Sequence, residues 1–340
     1  MSGGRRRFGR ATLVDAVVWG GFALLPAVLG DWQTGQLAVF FVYGLFAMSL
    51  ALIWGQCGLL CFGQAVFFGI GAYAMSVVTL GMVPGLEAVK SSYLGLLLAI
   101  VLAAGFANLL GRFLFYGRGL QGAYFAIVTL AIAVIAERLA VKWRFIGGLN
   151  GLMNIPPLNL GLNGDGPELW QPAPIYYVSL GAAFFVYLGL RALVRSRYGT
   201  VLCAIRDEEV RTGFFGYDTA AYKLTAFTIG AAVAGLAGAL FVTQFSFASP
   251  PLIGFTLSTE VLIWVAVGGR GVLLAAFLGA ILVRLVENLL SETFGPYWLL
   301  ALGVLFVLTV IVFPRGLIGG LLTRLTDGPK RPRVGTEETR

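Results

Sequence analysis

The chain has no histidine, three cysteines and few charges: Asp, Glu, Lys and Arg together make up 12% of its 340 residues. Without histidine, neither a Ser-His-Asp nor a Cys-His nucleophile system can be assembled. Cys57 and Cys61 stand four apart, on one helical face, but no histidine or carboxylate lies close enough in sequence to complete an obvious zinc site. They read as small apolar fillers. Catalytic acids are not clustered, which argues against a membrane-embedded enzyme. Long alternating segments, the mark of a membrane β-barrel, are also missing.

What remains is apolar. Hydrophobic residues make up 58% of the chain and the mean hydropathy is +0.87, whereas a soluble domain is about half apolar and about one-quarter charged. Forty-seven glycines suit membrane helices, where small residues let backbones approach closely. The expected fold class is an all-α polytopic membrane protein. Apolar runs of about 20 residues place spans near 12–30, 36–54, 57–80, 92–116, 120–140, 175–194, 224–245, 256–269, 272–291 and 296–313, about ten transmembrane helices.

Basic residues give an independent orientation. With the N-terminus inside, the inner segments carry Arg5, Arg6, Arg7 and Arg10, then Arg112 and Arg118, then the basic residues of 191–223, then Arg270 and those of 315–340. The outer loops hold only Lys90, Lys142 and Arg144, while Arg138 and Arg284 fall within spans. This is the bias of the positive-inside rule, so the net charge of +8 reads as topology and not as nucleic-acid binding. "RRRFGR" could open a signal peptide, but Asp15 interrupts the apolar run and no clean small-x-small site follows; an uncleaved first helix is expected. The domain reading is a basic N-terminus at 1–11, a membrane domain at 12–321 and a disordered tail at 322–340, with both termini cytoplasmic. The Gly-, Asn- and Pro-rich stretch 142–174 reads as an ordered external loop.

The longest polar stretch inside the chain is 196–223. Thr200 can cap a helix over 201–211, with Gly213 and Gly216 supplying stops. Val201, Ile205 and Leu202 form a short apolar side, followed by Phe214 and Phe215. Such a helix suits docking in a groove of a soluble partner; a solvated connecting loop is the alternative. A second candidate is "GQCGLLCFGQAVFFGIGAYA", 55–74, whose glycines loosen a helix that carries the amides Gln56 and Gln64. Gly-interrupted helices beside polar groups line passages in transporters, although small residues also serve close helix packing. Charges within spans form a third group. Glu137 adjoins Arg138; Arg284 and Glu287 are spaced to pair on one helix face; Glu260, four residues before Trp264, has no obvious partner. Each must face protein or water. "VGGRG", 267–271, reads as a tight turn.

"GTVLCAIRDEEVRTGFFGYDTAAYKLTAFTIGAAVAGLAGAL" resembles the coupling segment and following helix of the inner-membrane permeases of branched-chain amino acid and urea ABC importers. The pattern is carried by Gly199, Leu202, Ala204, Ile205, Arg206, Asp207, Glu209, Gly216, Tyr217, Tyr222, Lys223, Leu224 and the "AGLAGAL" ending at Leu240. "GQCGLLCFGQAVFFGIGAYA" resembles the family's early helix pair, "FIGGLNGL" its external loop, and "VLIWVAVGGRGVLLAAFLGAILV" with "FPRGLIGGL" its closing helices. The resemblance covers residues from about 36 to 322. It departs at Cys61 and Gln64, where relatives commonly have Ser and His, so a hydroxyl and a titratable ring are missing.

The resemblance implies a half-transporter of type II-like importer fold in a bacterial inner membrane. Its implied partners are a second homologous permease, two cytoplasmic ATPases and an external substrate-binding protein, within membrane lipid and without nucleic acid. The chain has no G-x-x-x-x-G-K-[ST] loop, so no cofactor is expected in it; ATP and magnesium belong to the ATPases. Partner contacts are expected at Ala204, Ile205, Arg206, Asp207, Glu208, Glu209, Gly213, Phe214, Phe215 and Gly216, and the substrate pathway at Gln56, Cys61, Gln64, Tyr73, Thr129, Glu260 and Trp264. The cargo implied is urea, a short amide or a branched-chain amino acid, with "FFGYDTAAYKL" and "EVLIWVAVGGRG" closer to the urea type. An ion-coupled secondary transporter is the competing class; it needs carboxylates arranged for Na⁺ or H⁺, usually within inverted repeats.

Overall fold

The computed structural model describes residues 2–83, 90–116, 122–161, 166–294, 303 and 316–327. The span expected at 296–313, save residue 303, lies outside the described residues, as do Arg118, Arg315 and the tail from residue 328.

The described apolar runs fold mainly as helix. In chain order these are α1 (Ser2–Leu24), α2 (Asp31–Ala51), α3 (Gln64–Thr79), α4 (Ser92–Tyr116), α5 (Ala123–Lys142) and α6 (Pro172–Arg195). The polar segment then forms α7 (Arg197–Asp207) and α8 (Glu209–Phe214). The chain continues as α9 (Thr219–Phe245), α10 (Phe255–Gly268), α11 (Leu273–Phe294) and α12 (Leu317–Asp327). α1 carries the basic N-terminus into the same helix as the first apolar run, and α12 passes the Leu322 at which a disordered tail was expected.

Burial sorts the helices. In the most apolar stretches, 83% of the α2 span and 72% of α9 are buried, against 28% for each of α4, α5 and α6. A helix apolar all round belongs in the interior, so α2 and α9 are the axis of the bundle. α4 and α5 turn Leu97, Val101, Leu109, Phe113, Ile127, Ile135 and Leu139 outward. The inner side of α4 is a stripe of small residues one turn apart: Gly95, Ala99, Ala103, Ala107 and Gly111, all buried. Because apolar burial gives little drive between helices in lipid, such stripes are what lets backbones pack closely. One such close approach is Gly238 on α9, where a Cβ would lie 1.9 Å from the Phe68 carbonyl oxygen of α3.

The count of crossings differs from the sequence expectation. Among the described residues, five helices are long and apolar enough to cross a membrane: α2 with its extension, α4, α5, α6 and α9. α10 and α11 meet at a bend of 116° across Gly269–Val272 and make at most one broken span. At 14 residues, α10 is roughly 21 Å long, short of a hydrocarbon core of about 30 Å. α3, at 16 residues, is also short, because 58–63 is not helical. Apolar runs register burial, and a short helix buried in protein reads the same as a spanning one. The 142–174 loop is pinned to the α9–α10 connection: β1 (Leu152–Met153) pairs antiparallel with β2 (Phe247–Ala248), and the Asn159 amide donates to Ser92 Oγ at 2.9 Å.

Gly238→Val forces α9 off α3 and is expected to destabilise the fold by about 3 kcal/mol or more. Gly105→Ala, with nothing within 4 Å of its new Cβ, should be neutral or stabilising by up to about 1 kcal/mol. Thermal melting of both in detergent tests this; equal melting temperatures would contradict the packing.

Candidate functional site

The site is built around a helix that breaks. α2 widens into a π-helical turn over Leu52–Gln56, Gly58 takes a left-handed φ of 74°, and regular helix resumes only at Gln64. A broken helix in a bilayer must have its freed backbone groups satisfied by protein, and here three neighbours do so. On α5, Thr129 Oγ1 accepts from the Phe62 amide at 3.1 Å. On α10, Ser258 Oγ accepts from the Ala65 amide at 3.1 Å. From α7, Arg206 Nη1 donates to the Gly55 carbonyl at 2.7 Å. Glycine is required at 58 for two reasons: its φ is positive, and a Cβ would sit 2.7 Å from Arg206 Cγ.

The polar segment is thereby fastened to the break. Leu202 and Ile205 are buried beneath it, Cys203 Sγ donates to Gln56 Oε1 at 3.3 Å, and Gln56 Nε2 reaches the Gly271 carbonyl at 3.5 Å. The α10–α11 turn closes the same joint, with the Arg270 guanidinium 5.4 Å from the centre of the Trp54 ring. A second fastening runs to α9, where Glu209 pairs with Lys223, whose side chain is only 2% exposed, and accepts from Thr219 Oγ1 at 3.2 Å. The Lys223 ammonium also lies 5.3 Å from the Phe115 ring centre. Tyr198 Oη donates to the Tyr222 carbonyl at 2.7 Å, and burial pushes its phenol above the ordinary tyrosine pKa.

The expected single helix over 201–211 is therefore two. α7 begins after Ser196, whose φ of −75° and ψ of 173° mark the boundary. Thr200 is no cap; inside the helix, its hydroxyl bonds back to the Ser196 carbonyl at 3.3 Å. The chain leaves helical geometry at Glu208 (φ −154°), and Gly216 (φ 87°) turns it toward α9. Asp218 caps α9 by accepting from the Ala221 amide at 3.1 Å. Of the residues expected to meet a partner, Ile205, Arg206 and Glu209 bind their own chain. Ala204, Asp207, Glu208, Gly213, Phe214, Phe215 and Gly216 are exposed. Phe214 and Phe215 are 88% and 77% exposed.

The expected pathway residues do not share one passage. Gln56 belongs to the joint. Gln64 is fully buried and donates Nε2 to Ser49 Oγ at 2.9 Å. Cys61 and Thr129 border an apolar crevice with Val66, Leu110 and Phe227. Tyr73 faces a separate apolar groove. Trp264 is enclosed by Tyr43 and Phe46, with ring centres 5.0 and 6.4 Å away. Glu260, which has no evident partner in sequence, lies 3.8 Å from Arg284. Arg284 donates to Glu287 at 2.6 Å, as the spacing predicts, and to Tyr43 Oη at 2.8 Å. Its guanidinium lies 4.2 Å from the Tyr43 ring centre. Sequence reading missed Tyr43, Ser49 and Ser258; their only signal is a polar atom in an apolar run. Among the described residues no group of His, Cys, Asp and Glu could hold a metal ion.

The protein-family model described as "Branched-chain amino acid transport system / permease component" matches residues 34–313. The chain belongs to this permease family. The permease is 32% identical to the high-affinity branched-chain amino acid transport system permease protein LivM of Salmonella typhimurium, over 92% of this chain and 75% of that protein. Its identity to LivM of Escherichia coli K12 is 33%, over 91% and 73%. It is also 24% identical to Salmonella typhimurium LivH, over 82% of this chain and 91% of that one. No solved structure matches it. The permease is a transport subunit and not an enzyme.

Glu209→Gln leaves the enclosed Lys223 ammonium without its carboxylate and is expected to cost about 3–5 kcal/mol. Glu209→Gln with Lys223→Met should recover most of that loss. Unfolding midpoints of the two variants measure it; a double variant no more stable than the single would refute the pairing.

Proposed function

We propose that this ABC importer permease forms half of a translocation path, with a second homologous permease as the other half. In this reading two separate ATPases drive it through the 196–223 segment and an external binding protein delivers cargo. The observation that carries the reading is the fastening of that segment. Arg206 holds α7 to the Gly55 carbonyl at the break in the axial helix, while Phe214 and Phe215 stand outward on the next short helix. One side is thus tied to the membrane core and the other is free for a groove in a soluble partner. A displacement of α8 is passed through α7 to Gly55 at the break, and the α10–α11 turn is tied to the neighbouring residue Gln56.

Within this proposal Gln64, Thr129, Glu260 and Trp264 lie along the route in a closed state, and opening requires α3 and α10 to part. ATP and magnesium are bound by the ATPases. Both termini lie on the cytoplasmic side, in keeping with the basic residues around 196–223. The cargo class proposed is branched-chain amino acids, supported by the names of the relatives LivM and LivH. Urea and short amides, toward which the motifs lean, are the competing cargo.

Two measurements test this. Phe214→Ser with Phe215→Ser should lower uptake by the reconstituted importer at least tenfold, with unchanged ATPase-free melting of the permease; normal uptake would refute the docking face. In wild-type proteoliposomes with the cognate binding protein, leucine should be accumulated and urea should not, and the reverse would replace the cargo while leaving the coupling intact.

A further inference from the structure

A cavity of about 510 Å³ lies between α3, α4 and α5, toward the ends that carry the 142–174 loop. Val66, Ile70 and Val78 form one wall, Leu98 and Leu102 the second, and Ala136 the third. Leu102, Leu139 and Phe145 on its rim are exposed, so the cavity is a groove open to the side of the bundle. We propose that this groove seats one acyl chain of an anionic glycerophospholipid, whose phosphate is held by Lys142 and Arg144.

Four observations carry the assignment. Among the described residues the lining contains no charged side chain, so a zwitterionic cargo placed there would find no partner in it for either charge, whereas a hydrocarbon chain needs none. From Val66 to Val78 the wall on α3 runs roughly 18 Å, close to half of a hydrocarbon core about 30 Å thick, which is the depth of one leaflet. Trp143 lines the mouth, where an interfacial indole belongs. Lys142 and Arg144, the residues on either side of Trp143 in sequence, are both exposed. These two cations are also among the few that the sequence places away from the basic side of the protein. A phosphate in the adjoining leaflet accounts for their position. A chain seated here touches α3 and α5, and the Phe62–Thr129 hydrogen bond ties α5 to the break just before α3, so the lipid would brace the start of α3. The inference does not depend on the cargo or the motor.

The test is native mass spectrometry of the full-length permease, titrated with phosphatidylglycerol or phosphatidylcholine in mild detergent. Phosphatidylglycerol should be retained in preference. Each headgroup-level cation contributes roughly fivefold in affinity, so Lys142→Gln with Arg144→Gln should lower phosphatidylglycerol retention on the order of twentyfold and leave phosphatidylcholine unchanged. Ala136→Phe, which narrows the groove, should lower retention of both. Equal retention of the two lipids by wild type, or undiminished phosphatidylglycerol on the Lys142→Gln/Arg144→Gln variant, overturns the proposal. So does a photo-crosslinker at Leu139 that captures a second permease chain instead of lipid in the assembled importer.

Discussion

The organising constraint of this molecule is an unpaired stretch of backbone. Between Leu59 and Gln64 the chain stops making its own helical hydrogen bonds, and the groups left over at such a break must find partners elsewhere in the protein. Thr129, Ser258 and Arg206 supply the missing partners from three different helices. The break thus recruits α5, α10 and α7 to one place, which a continuous helix would have had no reason to do. The surrounding short helices, α3 and α10, take their length from meeting there.

Two kinds of stabilisation divide the rest of the fold. Along α4 and α9 it is contact between backbones, made possible by small residues at every fourth position. Around Arg284 it is charge held inside protein. One guanidinium serves Glu260, Glu287 and the Tyr43 hydroxyl, so α2, α10 and α11 are locked by a single side chain whose removal would leave two carboxylates facing each other.

Much of this was legible in the sequence, and the boundary of what was legible has a physical reason. Local signals carried far: α4 begins and ends where the apolar run does, the Arg284–Glu287 pair follows from helical spacing, and "VGGRG" is a turn. Signals that depend on what lies across the interface did not carry. Thr200 looked like a cap because it precedes an amphipathic stretch, but the actual boundary at Ser196 is set by the end of α6. That Arg206 also reaches the Gly55 carbonyl and Glu209 the buried Lys223 could not be read from the segment, because its spacing does not reveal what packs against it. Glu260 looked unpaired because Arg284 is on the following helix, brought back by the 116° bend.

The thiol at the joint has a practical consequence. Cys57 and Cys61 are buried, while Cys203 is partly accessible and rests against Gln56. Alkylation of the folded chain is therefore dominated by one natural site, located where α7 meets the interrupted axis. Its modification rate is a clock for how often those two parts separate, and it can be read in the unaltered protein without first stripping out its other cysteines.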